Sequence, residues 1–175
     1  MIRRSILNIA ALTAMGLALT LGSAVAQQKQ QVSIKTPAAN TKYTQQHMVD
    51  VGDMAGHQVR VYEIHRTYPS NAPMITGLQL KESWSRGVSD YIDGNGPNTT
   101  YSVYTMDNGD KFFTRTSLIA QSLGAGKITT SSAGTVTGGT GKLAGIAGII
   151  RTTGTADPKA GVNDSQADIE YWFQK

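Results

Sequence analysis

The sequence predicts an all-β protein: a single antiparallel domain of seven or eight strands, rolled into an up-and-down barrel of lipocalin-like architecture. Three observations predict it. β-branched and aromatic residues recur in short runs, the runs are separated by glycine, asparagine, aspartate and proline, and no long apolar stripe of helical period competes with them. With 19 glycines in 175 residues, turn-forming positions are plentiful.

Taken in order, Arg3 and Arg4 precede an uncharged, mostly apolar stretch over residues 5–21, and Ala24-Val25-Ala26 supplies the small residues of a signal-peptidase site. Residues 1–26 therefore read as a leader removed on export to the periplasm or the medium. Asn8, Thr13 and Thr20 interrupt the stretch and no charged flank follows it, which argues against a retained anchor. The export route stays open, because Arg3-Arg4-Ser5-Ile6-Leu7 also loosely fits a twin-arginine address. Residues 27–46, rich in glutamine, lysine, threonine and alanine, read as a flexible tether, and residues 47–175 as the barrel domain.

Within that domain the expected strands are 58–68, 75–91, 100–106, 111–123, 127–137, 146–155 and 166–173, which makes seven, or eight if 48–54 contributes. Asp107-Asn108-Gly109-Asp110 predicts a tight hairpin, since Asn-Gly tolerates the two positive φ values of a type I′ turn. That turn pairs Tyr104 with Phe113, Ser102 with Arg115 and Val103 with Thr114. The clearest period of two lies in 78–91. Leu78, Leu80, Glu82, Trp84, Arg86 and Val88 share one face, and Gln79, Lys81, Ser83, Ser85 and Ser89 share the other. The mixed apolar and charged face is expected to look into the lumen and the serine face into solvent. The candidate ligand-binding residues are thus Leu80, Trp84, Arg86, Tyr104, Phe113 and Arg115, with Glu82 as the candidate catalytic carboxylate.

Composition excludes several chemistries. The chain has no cysteine, which removes disulfides, thiolate nucleophiles and zinc–thiolate sites. Loss of Arg3 and Arg4 with the leader leaves fourteen basic against twelve acidic residues, with no basic block, so nucleic acid is not an expected partner. Glu63 and His65 share a strand face, but His47 and His57 stand at no metal-ligand spacing from them, and no metal is expected. Gly139-Thr140-Gly141-Lys142-Leu143-Ala144 fits a loose dinucleotide fingerprint, yet strand rather than helix is predicted downstream. A phosphate-cradling loop fails because Val136 stands where its first glycine is required. No cofactor is expected. Asp93-Gly94-Asn95-Gly96 reads as a turn rather than a calcium loop.

The segment from Gly134 to Gly145, with Gly138-Gly139-Thr140-Gly141-Lys142 at its centre, resembles the motif shared by plant allene oxide cyclases and dirigent proteins. Bacterial exported proteins with an allene oxide cyclase barrel-like domain are more closely similar. The resemblance extends over Ser85-Arg86-Gly87-Val88-Ser89-Asp90-Tyr91, Met106-Asp107-Asn108-Gly109-Asp110, Gly154-Thr155-Ala156-Asp157-Pro158 and Glu170-Tyr171-Trp172-Phe173. It implies an eight-stranded barrel whose lumen receives an apolar or aromatic small molecule. The catalytic glutamate and proline-held water of the plant cyclases, and the acid and arginine positions of dirigent proteins, find no counterpart here. The leading functional expectation is an exported barrel binding a small hydrophobic or phenolic molecule. Two alternatives stay open: a cofactor-free isomerase or cyclase in which Glu82 stabilises positive charge or moves a proton, and an envelope protein with a packed lumen. Association between copies is compatible with the sequence, which identifies no interface.

Overall fold

The computed structural model describes residues 28–69 and 71–174; the leader read at 1–26 lies outside them. Ten strands account for about three quarters of the described chain: β1 (Gln30–Thr36), β2 (Thr41–Asp50), β3 (His57–Thr67), β4 (Met74–Ile75), β5 (Leu78–Ile92), β6 (Gly96–Met106), β7 (Lys111–Gly124), β8 (Lys127–Gly139), β9 (Ile146–Asp157) and β10 (Val162–Phe173). All pair antiparallel, in the order β1-β10-β9-β8-β7-β6-β5-β3-β2, with β4 attached to β5 alone. Among the described residues no helix is long and apolar enough to cross a membrane.

The backbone ladder does not close on itself, because β1 and β2 remain the two edges of the sheet. They are consecutive in the chain, joined by the short 3-10 turn Ala38–Asn40. Side chains bridge the seam: Asn163 Nδ2 on β10 donates to Tyr43 Oη on β2 at 3.3 Å, and Arg66 Nη2 on β3 donates to Asn163 Oδ1 at 3.1 Å. Gln46 Nε2 reaches the Pro158 carbonyl at 3.3 Å.

Four expectations are corrected. Segment 27–46 is not a tether over its described residues: β1 pairs with β10 in register, Val32 opposite Ile169 and Ile34 opposite Ala167. Val32, Ile34 and Thr36 face inward while Ser33 and Lys35 face out, so two apolar residues suffice once a partner strand covers them. Strand β2 has almost no buried residue and is held by its ladder with β3, which hydropathy cannot reveal.

The Asn108-Gly109 turn is not type I′. Only Gly109 has positive φ (+90°), in a three-residue loop where Met106 N donates to the Asp110 carbonyl at 2.8 Å and Gly109 N to the Met106 carbonyl at 3.0 Å. The extra residue shifts the register by one, giving Tyr104 opposite Phe112, Val103 opposite Phe113 and Ser102 opposite Thr114. Two-residue turns with both central φ positive stand elsewhere: Thr76-Gly77 at +51° and +78° between β4 and β5, Asp93-Gly94 at +49° and +79° between β5 and β6, and Ala125-Gly126 at +51° and +81° between β7 and β8.

The faces of β5 are inverted beyond Leu80. A β-bulge places two residues, Lys81 and Glu82, where the ladder with β6 has room for one, so Leu80 pairs with Met106 and Glu82 with Thr105. Leu78 and Leu80 point in as expected, but from there Ser83, Ser85, Gly87 and Ser89 are buried, while Arg86 and Val88 are exposed and Glu82 and Trp84 half-buried.

The apolar core lies at one end of the rolled sheet, where Ile34, Leu80, Met106, Phe112, Leu143, Ile146, Ile150 and Tyr171 pack together. Leu143, wholly buried, enters from the glycine-rich segment, which forms the 3-10 turn Gly141–Leu143. A side chain on Gly139 would collide with the carbonyls of Leu143 and Lys111, so that segment's glycine serves close approach. A smaller cluster of Ala120, Ile128 and Ala156, flanked by Tyr91 and Leu118, lies elsewhere in the interior.

Candidate functional site in the sheet interior

Residues from every strand except β4 converge on one cavity of about 90 Å³. Its wall is polar. Five tyrosines (Tyr43, Tyr62, Tyr68, Tyr91 and Tyr104), two arginines (Arg60 and Arg66), Asn98, Asn163 and a series of serines and threonines line it, with Ile34, Ile64, Leu118, Ile128 and Ile150 between them. Strand alternation explains the selection: Arg60, Tyr62, Ile64 and Arg66 are successive inward positions of β3, and Asn98, Thr100, Ser102 and Tyr104 those of β6.

These groups hold each other in place. Asn98 Nδ2 donates to Tyr62 Oη at 2.9 Å, and Tyr62 Oη and Thr100 Oγ1 share a hydrogen bond at 2.8 Å. Arg66 Nη1 donates to Ser85 Oγ at 3.0 Å, and Ser85 Oγ shares a 2.8 Å bond with Ser102 Oγ. Arg60 Nη1 donates to Gln46 Oε1 at 3.1 Å, and its guanidinium lies 5.0 Å from the Tyr62 ring centre and 5.9 Å from that of Tyr43. The Nε atoms of both arginines and Ser89 Oγ are buried without a hydrogen-bond partner.

The cavity wall carries no carboxylate, and neither arginine is ion-paired among the described residues. Nor do the phenols offset the charge. Burial raises the pKa of Tyr43 against the opposing pull of its Asn163 hydrogen bond and of Arg60 and Arg66. Burial likewise pushes Tyr91 up to about 12 and raises Tyr104 further. At neutral pH all three are neutral hydrogen-bonding groups, and the interior keeps two positive charges.

A second hollow of about 340 Å³ adjoins this cavity, sharing Arg60, Tyr91 and Ile128 with it. Met48, Gln58, Ser89, Asp93, Gly94, Gly126, Lys127, Pro158 and Lys159 complete its rim. This is the mouth. Arg60 stands at the junction of the two.

Of the residues singled out from sequence, the structure brings Tyr104 to the cavity wall and Leu80 to the apolar core beneath it. Glu82, Trp84, Arg86, Phe113 and Arg115 lie on the outer face, which corrects their expected inward placement. Glu82 and Arg86 do not approach each other as site partners; each pairs across to β3, Glu82 Oε2 with His65 Nε2 at 2.8 Å and Arg86 Nη2 with Glu63 Oε2 at 2.7 Å. Trp84 stacks on His65 with ring centres 4.2 Å apart, and Arg115 covers the ring of Tyr101. The bulge at Lys81 accounts for the first three residues and the hairpin register for Phe113 and Arg115.

Sequence reasoning missed Arg60, Arg66, Tyr43, Tyr62, Asn98 and Asn163. The signal for β3 was its alternation, with Arg60, Tyr62, Ile64, Arg66 and Tyr68 on one face. The other face, Val59, Val61, Glu63 and His65, is equally mixed, so periodicity could not say which was inside. Comparisons with protein-family models, curated proteins and solved structures returned no match.

Proposed function

We propose that this chain is an exported binding protein that takes a small phenolic or other polar aromatic molecule into the interior of its rolled sheet. In this reading the sheet works as a barrel of eight staves, β1 and β2 sharing one stave, in keeping with the resemblance to allene oxide cyclase barrel-like proteins. The observation that carries it is the tyrosine- and hydroxyl-lined cavity, which shares Arg60, Tyr91 and Ile128 with an adjoining open hollow. Hydroxyl and amide groups already fixed by one another can meet a polar ligand without reorganising. The polar wall favours the phenolic over the purely hydrophobic ligand. The isomerase alternative loses its candidate carboxylate, since Glu82 lies on the outer face, paired with His65. A packed envelope protein would have no such cavity.

Titration with phenol, followed by amide chemical shifts, tests the reading. Residues around Arg60, Tyr91 and Asn98 are expected to shift while those around Trp84 and Phe113 stay still. Shifts confined to the outer face, or none at millimolar phenol, would exclude interior binding.

A further inference from the structure

We infer that the molecule taken into the interior is an organic anion, a small carboxylate whose charged head enters the cavity lined by Arg60 and Arg66. This inference rests on the interior-binding reading above and goes beyond it by naming the charge and chemical class.

Guanidinium groups do not lose their proton in proteins, so both positive charges are permanent. Arg60 is only 7% exposed, and a charge removed from water is unfavourable unless a counter-charge meets it. Within the described chain the partners are neutral: Gln46 for Arg60, Ser85 and Asn163 for Arg66. These acceptors position the guanidiniums without discharging them, and each arginine retains a buried Nε–H with no acceptor. The acids of the paired strands β3 and β5 do not supply the missing charge: Glu63, Glu82 and Asp90 are engaged by Arg86, His65 and His57. Asp93 lies on the rim of the mouth and forms no ion pair with Arg60 among the described residues.

Size and shape narrow the class. An apolar cavity of about 150 Å³ is what benzene occupies, so the 90 Å³ cavity suits a head group better than a ring. The 340 Å³ mouth, with Met48, Tyr91, Ile128 and Pro158 on its wall, offers apolar surface for the rest of an organic molecule, which an inorganic anion would not use. The two arginines are six positions apart on β3, roughly 20 Å along the strand, so they do not grip one carboxylate from adjacent positions. They mark a positive path instead, Arg60 at the junction with the mouth and Arg66 farther in.

The experiment compares benzoate, its near-isostere benzamide and inorganic phosphate on the purified wild-type chain at neutral pH, reading dissociation constants from amide shifts. Benzoate is expected to bind at least about tenfold more tightly than benzamide or phosphate, as a charge-assisted contact in a partly dry site requires. Arg60→Met, which keeps the apolar stem, should weaken benzoate by about tenfold and leave benzamide within about threefold, whereas Arg66→Met, farther in, should weaken benzoate by less than Arg60→Met does. Equal affinities for benzoate and benzamide in the wild type would overturn the anion inference while interior binding stood. Phosphate binding as tightly as benzoate would overturn the organic class. Failure of benzoate, benzamide and phenol alike would overturn the interior-binding reading together with this one. The wild-type comparison decides the matter even where an arginine variant does not fold.

Discussion

Trp84 packs between two basic side chains on the outer face, its ring stacked on His65 at 4.2 Å and the Arg86 guanidinium 5.7 Å from its centre. Glu82 holds His65 and Glu63 holds Arg86, and Thr44 Oγ1 donates to Glu63 Oε1 at 2.7 Å. That hydroxyl, and then Arg86, keep the Glu63 carboxyl below its ordinary pKa. Single exposed ion pairs contribute little, but here an aromatic plate fixes both basic side chains, which reduces the entropy lost in pairing. Trp84→Ala is expected to lower stability by about 1–2 kcal/mol, the sum of a stacking and a cation–π contact. The same variant should bind phenol as the wild type does, because the ring is on the opposite side of the sheet from the cavity. Chemical denaturation and the phenol titration read the two effects separately; loss of phenol binding in a folded variant would contradict the outward placement.

At the scale of elements, β1 shows how little apolar content a strand needs. Ile34 is 1% exposed and belongs to the main core, yet its neighbours are serine and lysine. If residues 30–36 were a solvated tether, Ile34→Ala would cost almost nothing. As a strand paired to β10, it should cost about 2–4 kcal/mol through lost transfer energy and an unfilled cavity. A urea midpoint unchanged from wild type would refute the pairing. The bulge in β5 acts at the same scale: one extra residue re-aims everything after it, and Lys81 uses its displaced carbonyl to accept from Tyr68 N at 3.0 Å. It thereby fastens the segment that follows β3.

For the whole molecule, the mouth is where distant parts of the chain are tied together and where pH should act. His57 lies between two carboxylates, Nδ1 2.6 Å from Asp53 and Nε2 2.8 Å from Asp90, which links the turn after β2 to β5. Both ring nitrogens donate only in the protonated form. Hydrogen bonding to Asp90 and then to Asp53 raises the His57 pKa above its ordinary 6.5, and the His57 contact lowers that of Asp53 below 3.8. The sign follows by linkage. The histidine's contribution is complete below its unfolded value and is lost as pH rises through the raised one. The Asp53 contribution is present above its unfolded value and lost as pH falls through the lowered one. Local protection is therefore expected to be greatest at mildly acidic pH and to fall on the alkaline side. The amide of Asp93, which donates to the Gly56 carbonyl at 3.1 Å, reports it. Its hydrogen-exchange protection factor should decline as His57 deprotonates, and His57→Gln should flatten that decline. A protection factor independent of pH in the wild type would rule out the clamp.

The sequence by itself determined the all-β class, the antiparallel succession of strands and most of their positions, because alternation and turn chemistry are local properties that each segment carries alone. It also marked β5 and the β6–β7 hairpin as the elements to watch. What only the tertiary structure decided is which side of each strand is inside. In β5 the pattern Leu78, Leu80, Glu82, Trp84 looks continuous, and a single bulged residue, accommodated by β6, turns it over. In the hairpin one residue more in the loop than a type I′ turn allows moves Phe113 outward and Phe112 inward. With a side-chain period of two, any one-residue change in pairing exchanges the faces, and pairing belongs to two strands at once. The candidate site follows the same rule. Arg60 and Arg66 become interior charges only because β3 lies between β2 and β5 in a sheet curved about that face, and no stretch of sequence contains that fact.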